Sequence, residues 1–297
     1  MTLAPDLRSP APTDEHPLVG TFARLAPLAA SMELRLGLPA SAGDGAGSDQ
    51  WVRCADLLAN PAGFLTWRER LGSWLAATYD LTEVPERTTA GYVLSWYLHV
   101  PAVLGATLFH TARRVPSLRP EDLAFRVADG RAHPDGVALL AGGFACLPDD
   151  PAAGLPDSTV VADEQALAAL LRARYVGHAA RFVAAFGPTA RFGRRMLWAA
   201  ATDALDGAAW LAGRALHDEG GGVANAALLL PDARDVTSGD PLTSGSTLCA
   251  VTDATGRTAW TRRRESCCFH YVLPNAEACV TCPRVSDEER ARRALEV

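Results

Sequence analysis

The sequence contains no lysine; all 28 basic residues are arginine. That absence excludes a Schiff-base lysine and any phosphate-binding loop built around a lysine. A convincing dinucleotide fingerprint is missing too. The triplet Gly220-Gly221-Gly222 lacks both the preceding strand and the later acidic residue such a fold needs. No bound flavin or NAD(P)H is therefore expected. Positive charge is in deficit, with a formal net charge of −6. This argues against a nucleic-acid binder held by its overall field. The first residues lack the basic-then-apolar order of a secretory leader. They read instead as a Pro-rich flexible arm over residues 1–17, on a cytoplasmic chain whose cysteines are thiols or metal ligands.

What is present is globular. Hydrophobic residues make up 48% and charged residues 21% of 297 positions, which excludes wholesale disorder. One uncharged run, residues 91–112, is long enough to cross a bilayer. His99, His110 and Pro101 within it favour a buried helix broken near His99. Peripheral association with the inner face of the cell membrane stays open.

Apolar periodicity predicts helices over 19–36 and 63–79. It is clearest over 163–186, where Leu167, Leu171, Tyr175, His178, Phe182 and Phe186 recur at steps of three or four. Asp163 is placed to cap that helix, and Gly187-Pro188 to end it. A further helix is expected over 189–217, stopped by the glycine triplet. Residues 123–128 and 136–147 are strand-like, and a loop is expected over 148–158. Residues 231–246 are the best linker candidate. A hairpin is expected from 247–252 and 257–263, and a charged tail helix from Ser286, with Glu289 three residues on. His99, His110, His178, Trp96, Trp198 and Trp210 read as core residues, although one tryptophan could line a ligand cleft. The expected class is α+β: a helix-rich body over 18–246 with a small antiparallel sheet, then a C-terminal metal-binding segment over 247–297.

Four of the seven cysteines fall within sixteen residues: Cys267-Cys268, ten intervening residues, then Cys279-Val280-Thr281-Cys282. Cys54, Cys146 and Cys249 are scattered and read as small buried hydrophobes. Four thiolates in one loop suit zinc or a [2Fe–2S] cluster. Zinc sites usually pair sulfurs two to four residues apart, whereas adjacent side chains tend to diverge. Two bridged irons present a longer target, so the spacing favours the cluster and leaves zinc and a redox dithiol open. His270 could only replace a ligand in a Rieske-like centre, which needs two histidines; a packing or hydrogen-bonding role suits it better. Arg262, Arg263 and Arg264, with Arg257 nearby, put positive charge beside the thiolates. They either raise a cluster's potential and attract an anionic partner, or form a solvated strand edge.

The stretch Arg263-Arg264-Glu265-Ser266-Cys267-Cys268-Phe269-His270-Tyr271, closing with Cys279-Val280-Thr281-Cys282-Pro283, resembles the C-terminal signature of the FhuF-type ferric-siderophore reductases. Arg194-Arg195-Met196-Leu197-Trp198 resembles the broader family less sharply. Glu265 and Ser266 separate the arginines from the cysteines, a departure from the family pattern. The resemblance implies a [2Fe–2S] cluster on Cys267, Cys268, Cys279 and Cys282, with Arg263 and Arg264 around it. It implies one-electron reduction of siderophore-bound Fe(III), with electrons from an external ferredoxin or reductase. A hard-oxygen cage holds Fe(III) tightly and Fe(II) less well, so one electron loosens the iron. The rival readings are a non-enzymatic electron carrier or redox sensor, and a zinc-stapled binding protein.

Overall fold

The computed structural model describes residues 16–25, 32–39, 51–231 and 240–296. The arm expected over 1–17 lies almost wholly outside them, as does much of the linker expected over 231–246. The class is α+β. Helix α4 (Glu86–Ala112) forms the axis of the body. Eighteen of its 27 residues are buried, on every side of the helix, as expected for a helix enclosed by protein. Around it pack α3 (Ala62–Tyr79), α5 (Glu164–Phe186) and α6 (Arg194–Ala215). The rings of Tyr97 and Phe182 stack at 4.2 Å, and Phe186 continues the stack at 5.0 Å from Phe182.

Pro101 does not break α4, contrary to the sequence expectation. A proline removes one backbone donor, but burial of the surrounding turns holds the helix on both sides of it. This helix is long and apolar enough to cross a membrane, and 78% of its most apolar window is buried inside the molecule.

A second correction concerns the N-terminal helix. α1 (Pro17–Leu25) is helical, but residues 33–36 form strand β1 (Glu33–Leu36). Its alternation Glu-Leu-Arg-Leu has the period of a strand. It pairs in parallel with β5 (Pro134–Leu139), giving a four-stranded sheet in the order β1-β5-β4-β2, with β4 at Leu123–Val127 and β2 at Trp51–Arg53. The sheet is thus mixed rather than purely antiparallel.

The run expected as one strand over 136–147 is two. Gly142-Gly143 interrupts it, and β6 (Phe144–Cys146) joins a second sheet between β3 (Arg114–Pro116) and β7 (Ser158–Val160). β7 adds a strand at the end of the expected 148–158 loop.

Asp163 caps α5 as read, accepting from the Ala166 backbone N–H at 2.8 Å. α6 begins at Arg194 rather than 189, after a 3-10 turn over Gly187–Thr189. The glycine triplet does not stop α6; it lies inside α7 (Glu219–Leu229), capped by Asp218, and helix α2 spans Cys54–Ala59. Gly222 of the triplet serves helix contact instead. A Cβ on Gly213 would lie 2.6 Å from the Gly222 Cα, so α6 and α7 touch backbone to backbone.

Strands β8 (Leu248–Thr252) and β9 (Thr258–Arg262) form the expected hairpin, and α8 (Asp287–Glu296) the expected tail helix. The Glu289 backbone N–H donates to Ser286 Oγ at 3.2 Å.

Candidate metal centre

The cysteine-bearing segment docks on one face of α6. Asp203 and Asp206 are the only charges between Met196 and Ala212, and both are buried. A buried carboxylate must be paired and hydrogen-bonded, and these are. Asp206 accepts from Ser246 Oγ at 2.6 Å and Thr247 Oγ1 at 3.1 Å, just before the hairpin. Asp203 accepts from the backbone N–H of Glu265 at 2.9 Å and of Ser266 at 2.8 Å, and from Ser266 Oγ at 2.5 Å. These bonds fasten the chain immediately before Cys267.

The two aspartates also decide the fate of the arginines. Arg262 is buried, donates to the Asp203 carbonyl at 2.9 Å, and lies within 3.7 Å of both carboxylates. Arg264 lies 3.5 Å from Asp203 and donates to Ser95 Oγ and to Ser266 Oγ. Only Arg263 is exposed, donating weakly to the Pro283 carbonyl at 3.4 Å. The expected patch of three arginines is therefore one solvated charge and two internal tethers. Burial along β9 does not alternate, since the neighbours Thr261 and Arg262 are both buried, and the aspartates draw Arg262 inward.

The two halves of the cysteine motif are tied together. The Arg264 backbone N–H donates to the Thr281 carbonyl at 3.0 Å, bringing the CxxC turn beside the Cys-Cys turn. Within the CxxC turn, the Cys282 N–H donates to the Cys279 carbonyl at 2.9 Å. Arg293 of α8 donates to the Ala278 carbonyl at 2.7 Å and holds that turn from outside.

The Cys268 and Cys279 thiols are hydrogen-bonded. That bond, with Arg264 nearby, lowers Cys279 to about 7, while the same bond and burial drive Cys268 well above the ordinary thiol range. Burial works against the Arg264 charge. Asp203 and the sulfurs of Cys268, Cys279 and Cys267 outweigh it and raise its pKa. The Arg264 Nε is buried without a hydrogen bond. A cation aimed among three sulfurs suits a donor set that binds as thiolates. Among the described residues, no three Cys, His, Asp or Glu side chains converge on one ion position.

Helix α4 lines the opposite side. A Cβ on Gly91 would lie 3.0 Å from the Cys268 carbonyl oxygen and 3.2 Å from its Cα, so the Cys268 backbone rests directly on the helix. Thr88 Oγ1 donates to the Phe269 carbonyl at 3.3 Å. Phe269 adopts a left-handed backbone (φ 59°) and stacks on Phe192 at 5.8 Å. His270 is not positioned as a lone ligand: its Nδ1 lies 2.7 Å from the Tyr92 hydroxyl. That is the hydrogen-bonding role expected of it.

Of the other cysteines, Cys54 and Cys146 are buried as expected, but Cys249 is exposed on β8. His178 is a core residue, bonded to Tyr97 and the Leu118 carbonyl. His99, His110, Trp96 and Trp210 are only half-buried, whereas Trp198 is in the core. Sequence reading missed Asp203, Asp206 and Gly91. The two acids had a signal, a carboxylate pair three apart in a stretch otherwise uncharged from Met196 to Ala212; Gly91 had none.

Residues 264–284 match the FhuF 2Fe-2S C-terminal domain. No curated protein and no solved structure matches the chain. The matched segment, which holds Cys267, Cys268, Cys279 and Cys282, is similar to an iron–sulfur domain. What the chain resembles over those residues is the FhuF 2Fe-2S C-terminal domain, and the cofactor the match indicates is a [2Fe–2S] cluster.

Proposed function

We propose that this chain is a ferric-siderophore reductase, taking electrons from an external ferredoxin or reductase and working in the cytoplasm. Cys267, Cys268, Cys279 and Cys282 would hold the cluster. When bound, the cluster supplies single electrons at a potential tuned by charge, hydrogen bonds and exposure. The chain's own residues set those conditions. Asp203 holds the Cys-Cys turn, Arg264 places a buried positive charge among the sulfurs, and Gly91 lets the Cys268 backbone lie against α4. No side chain need move a proton for the transfer.

The observation that carries this reading is the matched Cys-Cys/Cys-x-x-Cys segment, docked where two openings reach it. One opening, of about 630 Å³, is lined by Arg195, Arg263 and Arg264 beside Pro283. Its exposed Arg195 and Arg263 suit an acidic electron donor. The test is anaerobic purification with visible and EPR spectra before and after dithionite, then addition of a ferric siderophore with a colorimetric Fe(II) trap. Reoxidation of the cluster in step with Fe(II) release is expected. A protein that cycles redox states without hastening Fe(II) release would be an electron carrier. A colourless protein holding one zinc would defeat the reading altogether.

A further inference from the structure

The second opening has the makings of a ligand site. A cleft runs between α4 and α6 in two compartments, of about 220 Å³ and about 450 Å³, which share His99 and Leu211. The smaller ends on Cys268; the larger opens past Val103 toward β1. Volumes of this order are typical of small-molecule sites.

The walls are chemically distinctive. Tyr92 and Trp96 face the inner compartment, their rings 5.0 Å apart. Outside the lining itself, the exposed guanidinium of Arg131 lies 5.5 Å from the Trp96 ring and 5.9 Å from the Tyr92 ring. Among the described residues no carboxylate pairs with it; the Tyr92 hydroxyl and the aromatic faces orient its charge. Inside the cleft, Arg262 and Arg264 are balanced by Asp203 and Asp206, and Arg214 of the larger compartment lies 3.8 Å from Glu219. Arg131 therefore supplies the unbalanced charge, and it is positive.

His99 adds a polar group. Burial, aided by Arg262, lowers its pKa to about 4, so the ring is neutral near pH 7. Among the described residues nothing hydrogen-bonds to it, although it lines both compartments. Its ring nitrogens are free for a ligand.

We infer that this α4–α6 cleft binds a negatively charged chelate with flat aromatic arms, of the tris-catecholate type, and seats it beside Cys268. The arms would lie along Trp96 and Tyr92, the charge would meet Arg131, and His99 would offer a hydrogen bond to a ligand oxygen. The inference rests on the proposed reductase activity for its biological sense, but its test does not require electron transfer.

Gallium(III) mimics ferric iron in size and charge and is not reduced under these conditions. The cluster-loaded full chain is titrated calorimetrically with a gallium(III) tris-catecholate complex and with a neutral gallium(III) tris-hydroxamate. Leu211 borders both compartments and is 45% exposed, so Leu211→Trp plugs the cleft without entering the core. Leu65→Trp, at a comparably exposed position on α3, is the control.

The catecholate complex is expected to bind the native chain and the Leu65→Trp variant alike. Leu211→Trp and Arg131→Gln should each weaken binding by about tenfold or more, with the visible and EPR spectra of the cluster unchanged. Absence of binding, binding indifferent to Leu211→Trp, or a hydroxamate complex bound as tightly would overturn the inference. If the catecholate complex binds in the cleft but its ferric counterpart is not reduced, the cleft stands and the reductase reading falls. Reduction that persists undiminished in Leu211→Trp would do the opposite.

Discussion

Asp203, midway along α6, receives both the backbone N–H and the hydroxyl of Ser266, at 2.8 and 2.5 Å, across a separation of 63 residues. This contact binds the helical body to the turn that carries Cys267 and Cys268. The same carboxylate faces Arg262 and Arg264, so one residue satisfies the loop backbone and, together with Asp206, balances two cations.

Asp203→Ala should therefore act on stability and on the metal centre together. Removing one member of a buried charge network costs about 3–5 kcal/mol because the remaining charges lose their partner. Denaturant unfolding should show a loss of that order, and iron and sulfide content should fall. Ser266→Ala removes the hydroxyl that donates to Asp203 and accepts from Arg264 but keeps the charge pairs, with a cost of about 1–2 kcal/mol and the cluster retained.

Gly91→Ala tests the seat of Cys268. The added methyl would press on the Cys268 carbonyl and Cα, and backbone cannot yield as a side-chain tip can. Overpacking of this kind costs about 1–3 kcal/mol. The variant should fold, with an altered cluster EPR spectrum. A spectrum identical to that of the native chain would place the Cys-Cys turn elsewhere.

Arg264→Gln removes the cation lying among the sulfurs of Cys267, Cys268 and Cys279. A positive charge beside a centre that gains an electron favours the reduced state, so its removal should lower the reduction potential. Redox titration followed by EPR reads the shift. Arg263→Gln, at an exposed position, should move the potential much less and reveal itself in the salt dependence of reduction by an acidic donor.

Cys268→Ala and Cys282→Ala should each abolish colour and the reduced-state EPR signal. Cys249→Ser should leave both intact, since that thiol is exposed on β8 and outside the motif. Metal analysis of the three variants checks the ligand assignment without any assay of turnover.

His178 makes stability depend on pH. Burial lowers its pKa from 6.5 to about 4, although the Leu118 carbonyl opposes the shift. The neutral ring is favoured in the folded chain, so the unfolded chain takes up the proton first. Stability is complete above about pH 6.5 and falls as pH drops toward 4, by up to about 3 kcal/mol from this group. Thermal melts across that range should show the decline. His178→Gln should be less stable at pH 7 but should have a flatter profile between pH 6.5 and 4.

Much of the local structure was legible because it depends on near neighbours. The α5 stripe from Leu167 to Phe186, the Asp163 cap and the β8–β9 hairpin all follow from spacing and turn chemistry. The misreadings share a different cause. Pro101 was overruled by burial of α4 on all sides, and the glycine triplet by backbone contact between α6 and α7. Arg262 and Arg264 looked like surface charges until two aspartates some sixty residues earlier drew them inward.

The order of residues alone gathered four sulfurs within sixteen positions, chemistry that no fold has to supply. Which groups surround those sulfurs was decided only in three dimensions. Asp203, Gly91 and the α4–α6 cleft reach the motif through packing between segments far apart in the chain, and such packing depends on volume and burial over the whole body rather than on any local pattern.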